Sequence, residues 1–148
     1  ALMLLGAETL QHSVDLFLAD EEPTAKPQSL YEVHPTPAPK LTKENTELHW
    51  GRPAIELHNQ VRGLSPYPAA WCSLAIGGGE PQVFKIMETV VSSSDIPTAD
   101  SPVGSIHLIG KRRIEVQTEA GRLELKVLQP AGKKAMPTSA YLNGLHLK

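Results

Sequence analysis

The sequence predicts a mainly β domain with short helices, folded as a small Greek-key β-barrel and preceded by one isolated α-helix and a Pro-rich linker. Three observations carry this expectation. Thirteen Pro and eleven Gly among 148 residues argue against a helical bundle and for short strands with many turns. The one long helical repeat lies at the start of the chain, and five prolines between Pro23 and Pro39 set it apart. Beyond residue 70, five short stretches of β character follow one another. The length admits one ordinary domain with some tail, and an enzyme built on two full lobes does not fit within it.

The elements follow in order. From Leu2 to Leu18 the apolar residues Met3, Ala7, Leu10, Val14, Phe17 and Leu18 recur at three- and four-residue steps, the period of a helix with one sticky face. No Ser, Thr, Asp or Asn caps its apolar opening Ala1-Leu2-Met3, so its natural start is expected to lie elsewhere. Asp20-Glu21-Glu22-Pro23 stops it, and the prolines after it hold an extended linker. Trp50-Gly51-Arg52-Pro53-Ala54 reads as a helix entrance with Pro53 at the first helical position. That helix is short, with Gly63 expected to end it.

Strands are expected at Ala70–Ile76, Val83–Val91, Ser105–Ile109, Arg113–Thr118 and Leu123–Leu128. Alternation is clearest in the last two, which Glu119-Ala120-Gly121 joins as a tight turn. Gly77-Gly78-Gly79-Glu80 lacks the Lys-Ser/Thr of a phosphate cradle and reads as a hairpin connection. Pro137 to Leu142 forms a closing helical turn ended by Asn143-Gly144. Five short strands around a helix are what an oligonucleotide-binding (OB-like) barrel requires. The expected organisation is a helix over 1–22, a linker over 23–39 and the barrel over 40–148.

Several function classes drop out. A single cysteine, Cys72, excludes a disulfide framework and any paired-cysteine metal knuckle. It lies in the apolar run Ala70-Trp71-Cys72-Ser73-Leu74 and reads as a buried, inert thiol. The six histidines, at 12, 34, 49, 58, 107 and 146, include no i, i+4 pair, so no metal site is expected. No apolar stretch approaches the ~20 residues that span a bilayer, and Ala1–Ala7 lacks the features of a signal peptide. A cytoplasmic protein without a membrane partner is expected. There is no GxSxG, P-loop or GxGxxG motif. His58, beside Asn59 and near Arg62, reads as a packed helix residue, and Glu44, Glu47 and Glu56 form no acid/base pair. The residues give no active site.

The net charge of −2 conceals a regional split. Residues 1–32 carry six carboxylates against Lys26, whereas residues 104–148 carry eight basic residues against Glu115, Glu119 and Glu124, a local net of +5. Lys111-Arg112-Arg113 sits in a turn between two strands and Lys133-Lys134 in the loop after the last one, so both clusters reach solvent. On a phosphate backbone they would release counterions and bind without reading sequence. The bland alternative is solvated turns and edge-guarding charges. No aromatic residue accompanies these clusters, which favours a backbone reader over a base-stacking binder.

Three segments carry a resemblance. Pro37 to Glu44 (Pro-Ala-Pro-Lys-Leu-Thr-Lys-Glu), Trp50 to Trp71, and Leu128 to Met136 (Leu-Gln-Pro-Ala-Gly-Lys-Lys-Ala-Met) with Tyr141-Leu142-Asn143-Gly144 resemble, in that order, the C-terminal part of the methionyl-tRNA formyltransferases. The first helix, Leu4 to Leu10, looks like the last helix of that family's catalytic domain. The resemblance implies an enzyme that moves a formyl group from 10-formyltetrahydrofolate to the methionine amino group of initiator methionyl-tRNA. In that family the catalytic Asn, His and Asp and the folate loop belong to an N-terminal Rossmann-like domain. No segment here matches them, so the resemblance implies no catalytic residue and no cofactor in this chain, which alone would be inactive.

The implied partners are the tRNA and the protein's own N-terminal catalytic domain, with the protein itself a monomer. Matching positions implied to face tRNA are Lys40, Lys43, Arg62, Lys133 and Lys134, and charge adds Lys111, Arg112 and Arg113. An alternative reading keeps the barrel as an interaction or packing module of another folate-dependent formyltransferase acting on sugars or folate. One departure stands out: the family usually reads Pro-Trp-Pro-Gly-Ala where this chain has Pro66-Tyr67-Pro68-Ala69-Ala70, so a position suited to Gly must here hold a Cβ. Ser92–Pro102 reads as a long polar surface loop.

Overall fold

A computed structural model describes residues 2–21, 26–30, 36–92, 101–110 and 112–145. The chain divides into two compact units, Ala1–Ala38 and Pro39–Lys148. The first holds α1 (Leu2–Leu18), the helix the periodicity predicts, none of whose residues is buried. Its end is a left-handed turn at Asp20, φ 57°, where the Glu21 amide reaches back to the Leu16 carbonyl at 2.9 Å.

The second unit contains α2 (Ala54–Leu64), β1 (Ala70–Leu74), β2 (Gln82–Val91), β3 (Ile106–Ile109), β4 (Arg113–Gln117), β5 (Arg122–Pro130), β6 (Met136–Pro137) and α3 (Thr138–Asn143). Among the described residues the strands pair antiparallel, in the order β1-β2-β5-β4-β3, with β6 added to β5, and one isolated parallel bridge joins Glu47 to Trp71. Strands β3, β4 and β5 are successive hairpin neighbours, and β2 lies beside β5 across the long β2–β3 connection, a Greek key. The mainly β architecture with few short helices is therefore the one expected, with β1 and β3 at the two ends of the pairing path.

Alternation decides which side chains enter the core. Ala70, Cys72 and Leu74 of β1, Phe84 and Ile86 of β2, Ile114 and Val116 of β4, and Leu123, Leu125 and Leu128 of β5 are all buried. Against them α2 presses Ala54, Leu57, Val61 and Leu64, the i, i+3, i+4 face of an amphipathic helix. Leu142 of α3 closes the other end, and Tyr141 meets Phe84 edge to face at 5.4 Å.

Gly63 does not end α2. A glycine inside a helix costs only about 1 kcal/mol relative to alanine, and the helix runs through it to Leu64. The stop comes from Ser65, forced extended (ψ 141°) by the clash that Pro66 imposes on the residue before it. The triple glycine after β1 holds a short turn over Ile76–Gly78, with Gly77 and Gly78 left-handed at φ 68° and 77°, linking the β1–β2 hairpin as expected. The polar loop expected at Ser92–Pro102 lies mostly outside the described residues.

Candidate nucleic-acid interface

The outer face of β1, β2 and β5 collects residues far apart in sequence. On β2, Phe84 and Ile86 point inward, so Lys85 between them must face out, and it is exposed. The register sets Lys85 directly opposite Trp71 on one side and opposite Gln129 on the other. The row Trp71–Lys85–Gln129 thus crosses three strands on one face. Gln129 extends it, donating from Nε2 to the Lys133 carbonyl at 2.7 Å in the β5–β6 loop.

The other end of the row is anchored by the segment before α2. Trp71 Nε1 donates to the Lys43 carbonyl at 2.7 Å, and the Lys43 ammonium lies 5.1 Å from the centre of the indole ring, a cation–π contact. Thr46 holds the same carbonyl through its hydroxyl at 3.0 Å. Asn45 closes the turn, donating to the Lys40 carbonyl at 2.8 Å. A groove of about 350 Å³ opens here, floored by Leu41, Pro68, Val83 and Trp71 and flanked by Lys43 and Lys85.

The structure sorts the residues expected from sequence. Lys43 and Lys133 lie along this row. Lys40 and Lys134 are exposed at its two ends. Arg62, in the last turn of α2, bonds Asn59 Oδ1 at 3.3 Å and lines a different groove of about 430 Å³ with His58, Ser65 and Glu88. Arg112 and Arg113 are exposed at the end of the β3–β4 ladder, and Arg113 is the first residue of β4 rather than part of the turn. Lys111 lies outside the described residues.

The regional charge of +5 overstates the free charge. Arg122 is 2% exposed and donates from Nε to Gln117 Oε1 at 3.0 Å. Lys126 is spent on Glu124 at 3.1 Å. These two strands bury polar side chains on their outer face as well, with Glu115 and Glu124 directly opposite each other in the ladder. Glu115 accepts from the Ser92 hydroxyl at 2.8 Å, and Ser92, Gly104 and Ser105 bond the β4–β5 backbone from the β2–β3 connection.

In the sequence Lys85 is one lysine in an apolar strand. The signal present was the alternation around it, which requires an outward side chain. The remaining chemistry is inert. Burial and the Glu47 carboxylate push the Cys72 thiol up to about 12. His58 Nδ1 shares a 3.0 Å hydrogen bond with the Thr89 hydroxyl, a structural tie from α2 to β2. Among the described residues no cluster of three His, Cys, Asp or Glu could hold a metal ion, and no helix is long and apolar enough to cross a membrane.

The chain is similar to known proteins over nearly its whole length. A methionyl-tRNA formyltransferase of Porphyromonas gingivalis is 40% identical over 145 residues, 97% of this chain and 44% of its own length. One from Moorella thermoacetica is 37% identical over 140 residues, 95% of this chain and 42% of its own length. The chain thus spans under half the length of these relatives. Among solved structures, a variant of HypX from Aquifex aeolicus superposes with a TM-score of 0.59 over 95% of this chain and 24% of its own, at 12% identity. HypX in complex with tetrahydrofolic acid gives 0.55 over 77% of this chain and 20% of its own, at 13% identity. At such identities the likeness speaks for the fold alone. The family described as "Formyl transferase, C-terminal domain" matches residues 40–146, from the turn that carries Lys43 to the end of α3 and just beyond, and the chain belongs to that family.

Proposed function

We propose that this chain is the C-terminal part of a methionyl-tRNA formyltransferase, the transferase that formylates initiator methionyl-tRNA for translation initiation. The observation that carries this is the run of relatives bearing that name at 34–41% identity, several of them aligned over nearly the whole chain. On this reading the catalytic residues and the formyl donor, 10-formyltetrahydrofolate, belong to the portion of the relatives that this chain does not cover. The Greek-key sheet is an OB-like, tRNA-binding domain, working in the cytoplasm as part of a monomer. The exposed apolar side of α1 supports a partner in the protein's own catalytic domain, since a helix with Leu10 and Phe17 both more than 60% exposed gains by covering them.

The tRNA contact is electrostatic and uses Lys40, Lys43, Lys133 and Lys134, with Arg62, Arg112 and Arg113 touching phosphates outside the row and Lys111 a further basic contact. Binding of this chain to initiator methionyl-tRNA, measured across salt concentrations, tests the reading. Affinity is expected to fall linearly on a logarithmic salt scale, and the double reversal Lys133→Glu with Lys134→Glu should weaken it for any tRNA. Absence of binding even at low salt overturns it. A chimera supplying the uncovered portion of the P. gingivalis relative should formylate methionyl-tRNA, whereas this chain alone should not.

A further inference from the structure

We propose that the groove between Lys43, Trp71 and Lys85 receives one unpaired nucleotide of an RNA partner, its base against the Trp71 indole and its phosphate between the two ammonium groups. This rests on the RNA-binding reading above and places an aromatic residue beside Lys43 and Lys85, outside the two basic clusters at 111–113 and 133–134.

The chemistry of the groove selects such a ligand. Its floor, Leu41, Pro68, Val83 and Trp71, is apolar, and its charged lining residues are both lysines. A flat apolar group bearing an anion satisfies both halves at once, and its volume of about 350 Å³ is within the range of sites that take small ligands. The indole is held in place by its bond to the Lys43 carbonyl, so little order is lost on stacking. An exposed cation–π contact is weaker than the stacking of a base on an aromatic ring, so a base that enters can displace the Lys43 ammonium, which then meets the phosphate. Lys85 needs no release, because among the described residues its ammonium has no hydrogen-bond or ion-pair partner. Stacking tolerates any base, so the site adds affinity for unpaired RNA without reading sequence.

The test compares a short labelled oligoadenylate with a blunt RNA duplex on the full 148-residue chain at low salt, by fluorescence anisotropy. Trp71→Leu should weaken oligoadenylate about tenfold, the scale of one lost stack, and duplex less than about twofold. Trp71→Phe should restore most of the loss, and Lys85→Gln should weaken oligoadenylate several-fold. Equal losses for both RNAs in the Trp71 variants, or oligoadenylate binding insensitive to Trp71 and Lys85, overturn the proposal while leaving RNA binding in place. Full competition by inorganic phosphate or polyglutamate at matched ionic strength overturns it too, because it would mean that the groove answers to charge alone. If Trp71→Leu unfolds the chain on thermal melting, Lys85→Gln decides by itself, since that side chain is exposed and holds no hydrogen bond or ion pair among the described residues. If the unaltered chain binds neither RNA, the RNA-binding reading falls first and this inference with it.

Discussion

The amide of Ala54 donates to the carbonyl of Ala120 at 3.0 Å, so the first turn of α2 is seated on the turn between β4 and β5. Helix starts carry unpaired N–H groups, and Pro53 at the N-cap brings no side-chain acceptor. A tight hairpin turn supplies one. The seat is completed by Glu119, whose amide donates to the Trp50 carbonyl at 3.1 Å, and by the Thr118 hydroxyl, which donates to Ala120 and Gly121 carbonyls at 2.9 and 2.7 Å.

Gly121 makes that turn possible with φ at +83°, and a Cβ there would sit 3.7 Å from the Ala54 Cβ, ordinary contact. The cost of a side chain is therefore conformational rather than steric. Gly121→Ala should destabilise the domain by about 1–2 kcal/mol, read as a lower denaturant midpoint with an unchanged m-value.

Ala69 shows the opposite case, a residue with a Cβ held at φ 71° and buried. It is the position at which the resembling family usually has Gly. Ala69→Gly relieves strain of about 1 kcal/mol but gives up a buried methyl and adds unfolded-state freedom of similar size. Its net effect on stability should stay within about 1 kcal/mol, whereas Ala69→Val, β-branched in the left-handed region, should cost roughly 2 kcal/mol or more. Chemical denaturation of the two variants side by side checks this, and a large stabilisation by Gly would contradict it.

Cys72 makes stability depend on pH in the alkaline range. Its thiol rises from an ordinary value of 9.0 to about 12 in the folded chain, so between those values the unfolded chain loses a proton that the folded chain keeps. The stabilising contribution is complete below pH 9.0 and lost as pH rises toward about 12. The slope it adds is at most about 1.4 kcal/mol per pH unit. Denaturation at pH 8, 9 and 10 should show a steeper decline for the unaltered chain than for Cys72→Ala. Iodoacetamide should label the native thiol far more slowly than the denatured one.

Two basic residues of the same region should behave differently in RNA binding. Lys133→Gln removes an exposed charge and should lower the slope of log affinity against log salt by about one. Arg122→Met removes a guanidinium that is already buried against Gln117, and the salt slope should not change. A parallel salt titration of the two variants checks the division, and equal slopes would mean that the exposed surface is not the one in contact.

The sequence by itself determined the elements and the apolar residues that each turns to the core. The three- and four-residue repeat in Leu2–Leu18, the alternation in Arg113–Gln117 and the turn residues at Gly121 and Gly144 act through backbone sterics and side-chain periodicity, which are local. Even the end of α2 was legible in Pro66, although Gly63 is the more conspicuous breaker. Only the tertiary structure decided which charges are free and what stands beside them. Arg122 and Lys126 count as charge in the sequence, yet the fold buries one and pairs the other. Lys85, unremarked between two core residues, is brought by strand register against Trp71 and Gln129. The physical reason is that register and burial are set by the whole sheet closing on its core, and no local pattern states which distant residue will lie across the ladder.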